Sequence, residues 1–500
     1  MFALTRALKL NPADDVAVLL DPIDAGRDVL GTTAREAIPS GHKLATRNIA
    51  AGAPVHKYGQ VIGVASTDIA AGQHVHDHNL GVGEAEREIE PIGSGPGVRL
   101  VNDPASFSGY VRDNGRVGTR NYIGIITSVN CSATVARRIA DSFNGQDLPG
   151  IDGVTAFTHS SGCGMSKTGE GIETLERTLA GYAVHPNLAG VLVIGLGCEV
   201  AQIGDLLDHF GLLPGPRLRT LTIQEAGGTL KAIERGQQIV RELIEEAQGD
   251  RRSTVSASHL TLGLQCGGSD SWSGVTANPA LGVAADLVVA NGGTAILSET
   301  PEISGAEHLL LRRAASREVA DKLLERLAWW DQYAAKHGAE LNNNPSPGNK
   351  AGGLTTIFEK SLGAVAKAGS SPLMDVLLYA EQVKTKGLVF MDSPGFDPCS
   401  ATGQIASGAN VLAFTTGRGS VFGSKPAPCI KLASNSALAM AMDDDMDVDC
   451  SPILDGASIQ EAGEAIYAKL LAVASGEPSK SEALGFGDSE FVPWNLGAWM

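Results

Sequence analysis

The sequence predicts an α/β fold, in which a small N-terminal β domain precedes two α/β regions with largely parallel sheets. Two observations indicate this class. In the main part of the chain, short apolar runs end in polar, glycine-rich loops and are followed by helical patterns, as in a parallel sheet. The N-terminal part instead contains short strands separated by turns. We expect the β domain at 1–82, a linker at 83–105, a first α/β domain at 106–250 and a second at 251–500.

An internal echo marks the β domain. Residues 48–55 read x-Ile-Ala-Ala-Gly-x-x-Val, and the same pattern recurs within residues 67–75, which predicts turns between short strands. The second unit leads into His74, His76 and His78, which would share one face of a strand. Three imidazoles on one face suit a divalent transition metal. Exposed histidines at a strand end are the alternative.

Four apolar runs of the α/β regions lead into polar loops, at 191–194, 261–264, 388–391 and 411–414. Ligands collect beyond the carboxyl ends of the strands in open α/β sheets, so the repetition predicts one composite site. The loop Cys266-Gly267-Gly268-Ser269-Asp270 is crowded with polar groups, and Pro279 suits the first turn of the helix that follows. Glycines that simply make tight turns are the alternative. Residues 342–353 show no periodicity, which predicts a functional loop.

Several cations lie in glycine-rich or histidine-adjacent loops, although the net charge of the chain is −17. Arginine can hold a carboxylate with two parallel hydrogen bonds, so the set indicates an anionic, polyhydroxylated substrate. Each cation taken alone is better explained as a surface charge. The cations are Lys43, Lys57, Lys350, Arg418 and Lys425, and the candidates for contacts to substrate hydroxyls are Ser269, Asp270, Asn278, Ser346 and Asn349.

The chain has seven cysteines, and this small, odd number does not indicate a disulfide framework. Cys131, Cys163, Cys198 and Cys266 each follow a predicted strand. Thiolates at strand ends can meet although they are distant in sequence, and three or four of them can hold an iron–sulfur cluster. Small buried residues in tight turns are the alternative.

Charge and hydropathy argue against two classes of partner. A nucleic-acid surface needs a basic face, which the acidic chain does not indicate. We expect no membrane helix, because no run reaches about 18 apolar residues. The N-terminus shows no signal-peptide pattern. We therefore expect a cytoplasmic protein, and a homo-oligomer, namely a dimer.

The motifs resemble the altronate/galactarate dehydratase family over nearly the whole chain. The β domain resembles a SAF domain, a small β-clip fold, through the strings GHKLA, KYGQVIG, DIAAG and HVHDHN. The main part resembles the family through VGTRN, HSSGCG, VLVIGLGCE, LQCGGSDSWSGVTANPALG, ANGGTAILSETPEISGAE, NPSPGNKAGGLTT, SLGAVAKAG and TTGRGSVFG. The resemblance implies a hydro-lyase that acts on a sugar acid with Fe²⁺, sometimes replaced by Mn²⁺. Sulfolactate sulfo-lyases are also related, but their two parts are separate chains.

The resemblance implies removal of the proton α to a carboxylate and loss of the 3-hydroxyl as water. A divalent metal would stabilise the enediolate, and a base and an acid would move the protons. We expect His42, His76 and His78 to bind the metal, and leave out His74 because the family pattern is firmest at the second and third histidines. Lys57 is the candidate base or carboxylate clamp; as a base it needs a lowered pKa. His159 is the alternative base.

The expected substrate is D-altronate, which gives 2-keto-3-deoxy-D-gluconate. Galactarate, which gives a keto-deoxy-glucarate, or another aldonate or aldarate is the alternative within the family. Two alternatives come from other classes, namely an iron–sulfur dehydratase that uses the cysteines and a non-enzymatic carbohydrate-binding protein.

Overall fold

The computed structural model describes residues 5–83 and 99–497. Most of the expected linker, residues 84–98, lies outside this part of the chain. The N-terminal domain consists of short strands that pair antiparallel. They are β1 (Ala7–Leu8), β2 (Val16–Leu19), β3 (Asp28–Val29), β4 (Thr32–Thr33), β5 (Lys43–Ala45), β6 (Pro54–Lys57), β7 (Gln60–Ala65), β8 (His74–Val75) and β9 (Leu80–Gly81).

The two echo units of the N-terminal domain pair with each other. Ile49 and Ile69 exchange backbone hydrogen bonds of 2.8 Å in both directions, and both side chains are buried. One sheet has the strand order β1-β2-β5-β8, and a second has the order β6-β7-β9. The isoleucines of the two repeated units therefore pack into the same apolar core.

The second domain is built on a parallel sheet with the strand order β13-β12-β14-β15. Strands β10, β11 and β16 form a separate antiparallel sheet. The elements are β10 (Ser106–Val111), β11 (Val117–Gly118), β12 (Tyr122–Thr127), α1 (Ala133–Asp141), β13 (Gly153–Phe157), α2 (Glu170–Ala183), β14 (Leu188–Gly195), α3 (Ile203–Phe210), β15 (Leu218–Thr222), α4 (Thr229–Ala247) and β16 (Arg252–Ser256).

The C-terminal domain is built on a seven-stranded parallel sheet with the order β19-β20-β18-β17-β21-β22-β23. Its central strands are buried along their whole length, because helices cover both faces of such a sheet. The elements are β17 (Thr261–Cys266), α5 (Ala277–Ala290), β18 (Thr294–Ser298), α6 (Glu307–Leu311), α7 (Arg317–His337), α8 (Pro347–Ala351), α9 (Ile357–Ala366), β19 (Leu373–Leu377), β20 (Gly387–Met391), α10 (Asp397–Ser407), β21 (Val411–Thr416), β22 (Cys429–Ala433), α11 (Ser436–Ala441), β23 (Val448–Asp449), α12 (Ile459–Ala474) and α13 (Lys480–Ala483).

The predicted fold class is confirmed, with two corrections of detail. Strand β14 belongs to the four-stranded sheet, whereas β17, β20 and β21 belong to the seven-stranded sheet, so the four polar loops do not form one composite site. The segment 342–353 is not wholly a loop. It contains α8, which starts with a capping box between Ser346 and Asn349, and such reciprocal hydrogen bonds stabilise even a short helix.

A buried ion cluster joins the N-terminal domain to the C-terminal domain. The ammonium groups of Lys43 and Lys57 lie 2.9 Å and 2.8 Å from the carboxylate oxygens of Glu359 in α9, and all three side chains are buried. Lys43 also donates to the carbonyl of Gly353 at 2.6 Å. These contacts fix the histidine-bearing end of the N-terminal domain against the C-terminal domain. Among the helices of the described residues, none is long and apolar enough to cross a membrane.

Candidate active site

Two clusters of ionisable side chains lie near the carboxyl edge of the seven-stranded sheet, one in the N-terminal domain and one in the C-terminal domain. Both clusters contact residues 344–354, which we call the bridging segment. On one side, carbonyl groups of this segment meet imidazoles of the N-terminal domain. On the other side, Asn344 donates to a carboxylate that follows β18. The bridging segment therefore positions both clusters.

The histidine cluster comprises His42, His74, His76 and His78 together with Asp77. The ring centroid of His74 lies 5.0 Å from that of His42, 5.2 Å from that of His76 and 5.5 Å from that of His78. His42 Nδ1 lies 3.0 Å from His74 Nε2. Ligand atoms of His76, Asp77 and His78 all lie within 4.8 Å of one another. The cluster is a dense set of nitrogen and oxygen donors.

Two imidazoles of the histidine cluster have lowered pKa values, which favours their neutral form. Burial, together with the neighbouring rings, lowers the pKa of His74 to about 3. Burial and the nearby His76 ring also lower the pKa of His42. His76 is held by two acceptors, because its Nε2 lies 3.0 Å from the carbonyl oxygen of Lys350 and its Nδ1 lies 2.8 Å from Asp77. His76 can therefore bind a metal only if it gives up one of these contacts.

The structure corrects the predicted origin of the cluster. The strand that contains His74 ends at Val75, and the chain then turns, with the amide of Asn79 donating to the carbonyl of His76. The histidines therefore meet through a turn and not through the face of one strand. His74, which the sequence analysis left out, lies at the centre of the group.

The acidic cluster comprises Glu299, Glu302 and Asp397 together with Cys266, Lys360 and Lys367. Cys266 ends β17, Glu299 follows β18, and Asp397 begins α10 after β20. Lys360 Nζ lies 2.5 Å from Glu302 Oε1, and Lys367 Nζ lies 2.8 Å from Cys266 Sγ. Neither carboxylate oxygen of Glu299 has a hydrogen-bond partner among the described residues, although the side chain is buried. The φ of Glu299 is 74°, a left-handed conformation that is strained for a non-glycine residue.

The carboxyl groups of this cluster have divergent pKa values. Burial and the carboxylate of Glu302 raise the pKa of Glu299 well above its usual range. Burial alone would raise the pKa of Glu302, but Lys360 and Lys367 outweigh it and hold the pKa below its usual range. Burial and Glu302 raise the pKa of Asp397 to about 6. Such divergence is typical of groups that exchange protons in catalysis.

Neither predicted base is free to act. Burial alone would lower the pKa of Lys57, but the carboxylate of Glu359 outweighs it and the pKa is raised, so the required lowering is not found. Burial lowers the pKa of His159 to about 4. Both ring nitrogens of His159 have partners, namely the Thr127 carbonyl at 2.9 Å and the Ser161 hydroxyl at 3.1 Å. Lys57 is a buried interdomain cation, and His159 holds a loop of the second domain.

Most predicted hydroxyl-binding side chains hold the loops together instead. Asp270 accepts hydrogen bonds from Ser273, Ser434 and Asn435. Asn278 bonds the Gly363 carbonyl and Thr415, and Asn349 donates to the Ser269 carbonyl at 2.7 Å. These partners leave little capacity for a substrate. The hydroxyl oxygen of Ser269, in contrast, is buried without a partner in the described structure.

Of the cations that the sequence indicates for an anionic substrate, Lys350 and Arg418 lie in loops at the same sheet edge. Lys350, in the bridging segment, lies 3.8 Å from Asp77 and is partly exposed. The backbone amide of Arg418 donates to the Gly268 carbonyl at 2.8 Å, so its loop packs on the Cys266 loop. The Arg418 side chain is exposed. Lys425 is paired with Asp488 at 2.6 Å.

The four predicted cluster cysteines do not meet. Cys266 is buried in the acidic cluster of the C-terminal domain, where burial raises the pKa of its thiol to about 12. Cys131, Cys163 and Cys198 follow strands of the second domain and are exposed. Cys266 thus follows a strand of the seven-stranded sheet, whereas the other three follow strands of the four-stranded sheet.

Sequence reasoning missed most of the acidic cluster. Glu299 and Glu302 follow the apolar run of β18, which is the same signal that identified the other loops. Lys360 lies in α9, and Lys367 follows seven positions later as the residue that caps its end, so both project from the same face of a mostly apolar segment. The apolar run of β18 and the spacing of the two lysines were both visible in the sequence. Neither feature showed that the loop after β18 contacts α9.

A small β domain that contacts the C-terminal domain near buried carboxyls of divergent pKa is typical of a multidomain α/β enzyme. Three family profiles match successive parts of the chain. They are the altronate/galactarate dehydratase SAF domain at 5–83, the second domain of D-galactarate dehydratase/altronate hydrolase at 109–248, and the D-galactarate/altronate dehydratase C-terminal domain at 257–499. The chain belongs to the altronate/galactarate dehydratase family, and it is a hydro-lyase.

Characterised relatives match nearly the full length. An altronate dehydratase of Escherichia coli strain K12 is 36% identical over 488 residues, which cover 96% of this chain and 97% of the relative. A galactarate dehydratase (L-threo-forming) of the same strain is 37% identical over 489 residues, covering 94% and 93%. An altronate dehydratase of Bacillus subtilis strain 168 is 35% identical over 441 residues, covering 86% and 87%.

Proposed function

We propose that this protein dehydrates a sugar acid, and that D-altronate is its substrate and 2-keto-3-deoxy-D-gluconate its product. The observation that carries the proposal is the end-to-end similarity to altronate dehydratases, which includes the N-terminal domain. Galactarate is the second candidate, because a galactarate dehydratase is equally similar. The homodimer expected from the sequence stays a prediction.

The histidine cluster is the proposed site of Fe²⁺ or Mn²⁺. Its donor set fits, because neutral imidazoles and a carboxylate suit these ions. His42, His74, His76 and His78 with Asp77 would hold the metal. When bound, the metal polarises the carboxylate and 2-hydroxyl of the substrate.

The acidic cluster is the proposed site of proton transfer. Asp397 is only partly buried and has a pKa of about 6, so it can accept a proton near neutral pH. Burial and the neighbouring Glu302 carboxylate raise the pKa of Glu299 well above its usual range, which favours its protonated form. We assign Asp397 as the base that takes the C2 proton, and Glu299 as the acid that protonates the leaving 3-hydroxyl.

The steps balance without a redox partner. Asp397 removes the proton at C2, the bond from C3 to its hydroxyl breaks, and the proton of Glu299 completes the water molecule. The enol that remains becomes the 2-keto-3-deoxy acid. Arg418 and Lys350 would hold the anionic end of the substrate.

A panel of aldonates and aldarates tests this proposal. With Fe²⁺ present, we expect 2-keto-3-deoxy product from D-altronate, loss of turnover after chelation, and recovery when Fe²⁺ is added back. Galactarate as the best substrate would select the second candidate. Absence of a keto-deoxy product from every acid, with iron binding verified, would contradict the proposed function.

A further inference from the structure

The cysteines of this chain divide into two groups. Cys266, Cys399, Cys429 and Cys450 are buried, as free cysteines usually are. Cys131, Cys163 and Cys198 are exposed. The exposed three follow β12, β13 and β14, which are adjacent parallel strands. Exposed cysteines are uncommon, so three exposed thiols at one edge of a sheet are candidates for binding one ligand together.

The three loops that carry these thiols are bound to one another. The amide of Asn130 donates to the Ser161 carbonyl at 3.0 Å, and the amide of Val200 donates to the Gly162 carbonyl at 3.0 Å. Gly162 has a φ of 95°, and a Cβ at this position would collide with the Ser128 carbonyl oxygen. The glycine therefore permits the loop of Cys163 to lie directly against the loop of Cys131.

The edge where the loops meet is a crevice of the expected kind. Strands β13 and β14 lie on opposite sides of β12, so the chain reverses direction in the sheet at this point. Ligands of open α/β sheets bind at such switch points, beyond the carboxyl ends of the strands. The three thiols thus occupy the place in the second domain where this fold takes a ligand.

Thiolates are the usual ligands of iron–sulfur clusters. Cys131, Cys163 and Cys198 supply three thiols from three loops that are bonded to one another at one sheet edge. Among residues 5–83 and 99–497, these three sulfurs do not all lie within 4.8 Å of one another, so they are not arranged as the ligands of a single ion.

The other ligand-type side chains of the three loops are already in use. Glu199 accepts from the Ser128 hydroxyl at 2.8 Å and from the amide of Gly197 at 2.6 Å. His159 contacts the Thr127 carbonyl and Ser161 through its two ring nitrogens. These loops therefore offer three ligands to a cluster that has four irons.

We propose that Cys131, Cys163 and Cys198 bind a [4Fe–4S] cluster in which one iron has no protein ligand. The free position accepts oxygen donors, such as the hydroxyl and carboxylate of a hydroxy acid bound in the second domain, at a site separate from the histidine cluster and the acidic cluster. This choice of ligand rests on the proposed function, whereas binding of the cluster does not. Cys266, which lies in the other parallel sheet, has no part in it.

Anaerobic reconstitution of the full-length protein with ferrous iron and sulfide tests the cluster. We expect about four sulfide and about five iron per chain, of which four irons belong to the cluster and one to the histidine cluster, together with visible absorption and a paramagnetic signal after reduction. Cys131→Ala, Cys163→Ala and Cys198→Ala should each lose the sulfide and the signal while keeping the wild-type melting temperature, because these side chains are exposed. Cys450→Ala is the matched control and should keep the cluster.

Two results would overturn the proposal. One is wild-type protein that takes up iron without sulfide, and the other is a full cluster in any of the three variants. The ligand is tested separately, since D-altronate or galactarate should change the paramagnetic spectrum of the reduced cluster. A cluster whose spectrum neither acid changes would contradict the hydroxy-acid assignment. Turnover of these acids in protein that holds no cluster would leave the proposed function standing and remove the cluster from it.

Discussion

The histidine cluster and the acidic cluster lie on two sides of the same bridging segment, yet their chemistry differs. The histidine cluster offers neutral imidazoles, and Lys350 lies 3.8 Å from its carboxylate. The acidic cluster contains ammonium groups in direct contact with a carboxylate and a thiol. Ligand-type side chains that lie close together therefore do not by themselves make a metal site.

The positive charges already present in the acidic cluster indicate which of the two clusters binds a divalent ion. A divalent ion in the acidic cluster would lie beside Lys360 and Lys367, where like charges repel strongly in a buried site. The Cys266 thiol would also have to lose a proton, although its pKa is about 12. The histidine cluster requires no such change at His42 and His74. We therefore propose that the metal binds in the histidine cluster and that proton transfer takes place in the acidic cluster.

The largest expected effect comes from removal of the proposed base. Asp397→Asn keeps the shape of the side chain but cannot take a proton, so we expect kcat/KM to fall by about 10²–10⁴-fold. Binding of Mn²⁺ should not change, which would separate the two clusters. Steady-state kinetics and a metal titration on the same preparation check this. Activity within threefold of wild type would remove Asp397 from the mechanism.

Loss of the interdomain carboxylate should cost stability. Glu359→Gln leaves Lys43 and Lys57 buried without a counter-ion, and such a change costs about 3–5 kcal/mol. Asp321→Asn is the control, because it breaks the exposed pair of Asp321 with Arg317 and should cost under about 1 kcal/mol. Calorimetry should show an earlier unfolding transition for Glu359→Gln alone. Equal transitions would show that the N-terminal domain is held by other contacts.

The two loop cations should contribute less than the base. We expect Lys350→Ala and Arg418→Ala each to lose about 1.5–3 kcal/mol of transition-state stabilisation, which is typical of a hydrogen bond to a charged group. This corresponds to roughly ten- to more than a hundred-fold in kcat/KM. Lys425→Ala is the control, because its ammonium group is paired with Asp488. If either variant keeps wild-type kcat/KM and melts normally, that residue is only a surface charge.

The pH dependence gives the smallest expected effect. Since Asp397 must be ionised to act and has a pKa of about 6, kcat/KM should rise through pH 6 and be about tenfold lower at pH 5 than at its plateau. The folded pKa lies above the ordinary value of 3.8, so the contribution of this group to stability falls as pH rises from about 4 to 6. Protonation of Asp397 at pH 5 therefore does not unfold the protein. A flat profile between pH 5 and 7 would contradict its role as base.

The fold class could be predicted from the sequence, but only part of the candidate active site could. Apolar runs that end in glycine loops reported the parallel strands, because strands buried on both faces must be continuously apolar. The contact of Lys43 and Lys57 with Glu359 spans more than 300 positions and left no periodic signal. The same holds for Cys266, Glu299 and Lys367, which come from three elements. Burial of the paired charges, which sets their pKa values, exists only in the folded chain.

Titration with Mn²⁺, followed by the paramagnetic signal of the free ion, tests the division between the two clusters most directly. The account predicts about one bound Mn²⁺ per chain in wild type and in Glu302→Gln, and none in the double variant His74→Ala/His76→Ala. His209→Ala, a substitution of an exposed histidine in the second domain, should bind as wild type does. Wild-type binding by the double histidine variant, together with loss of binding in Glu302→Gln, would place the metal in the acidic cluster and contradict the account.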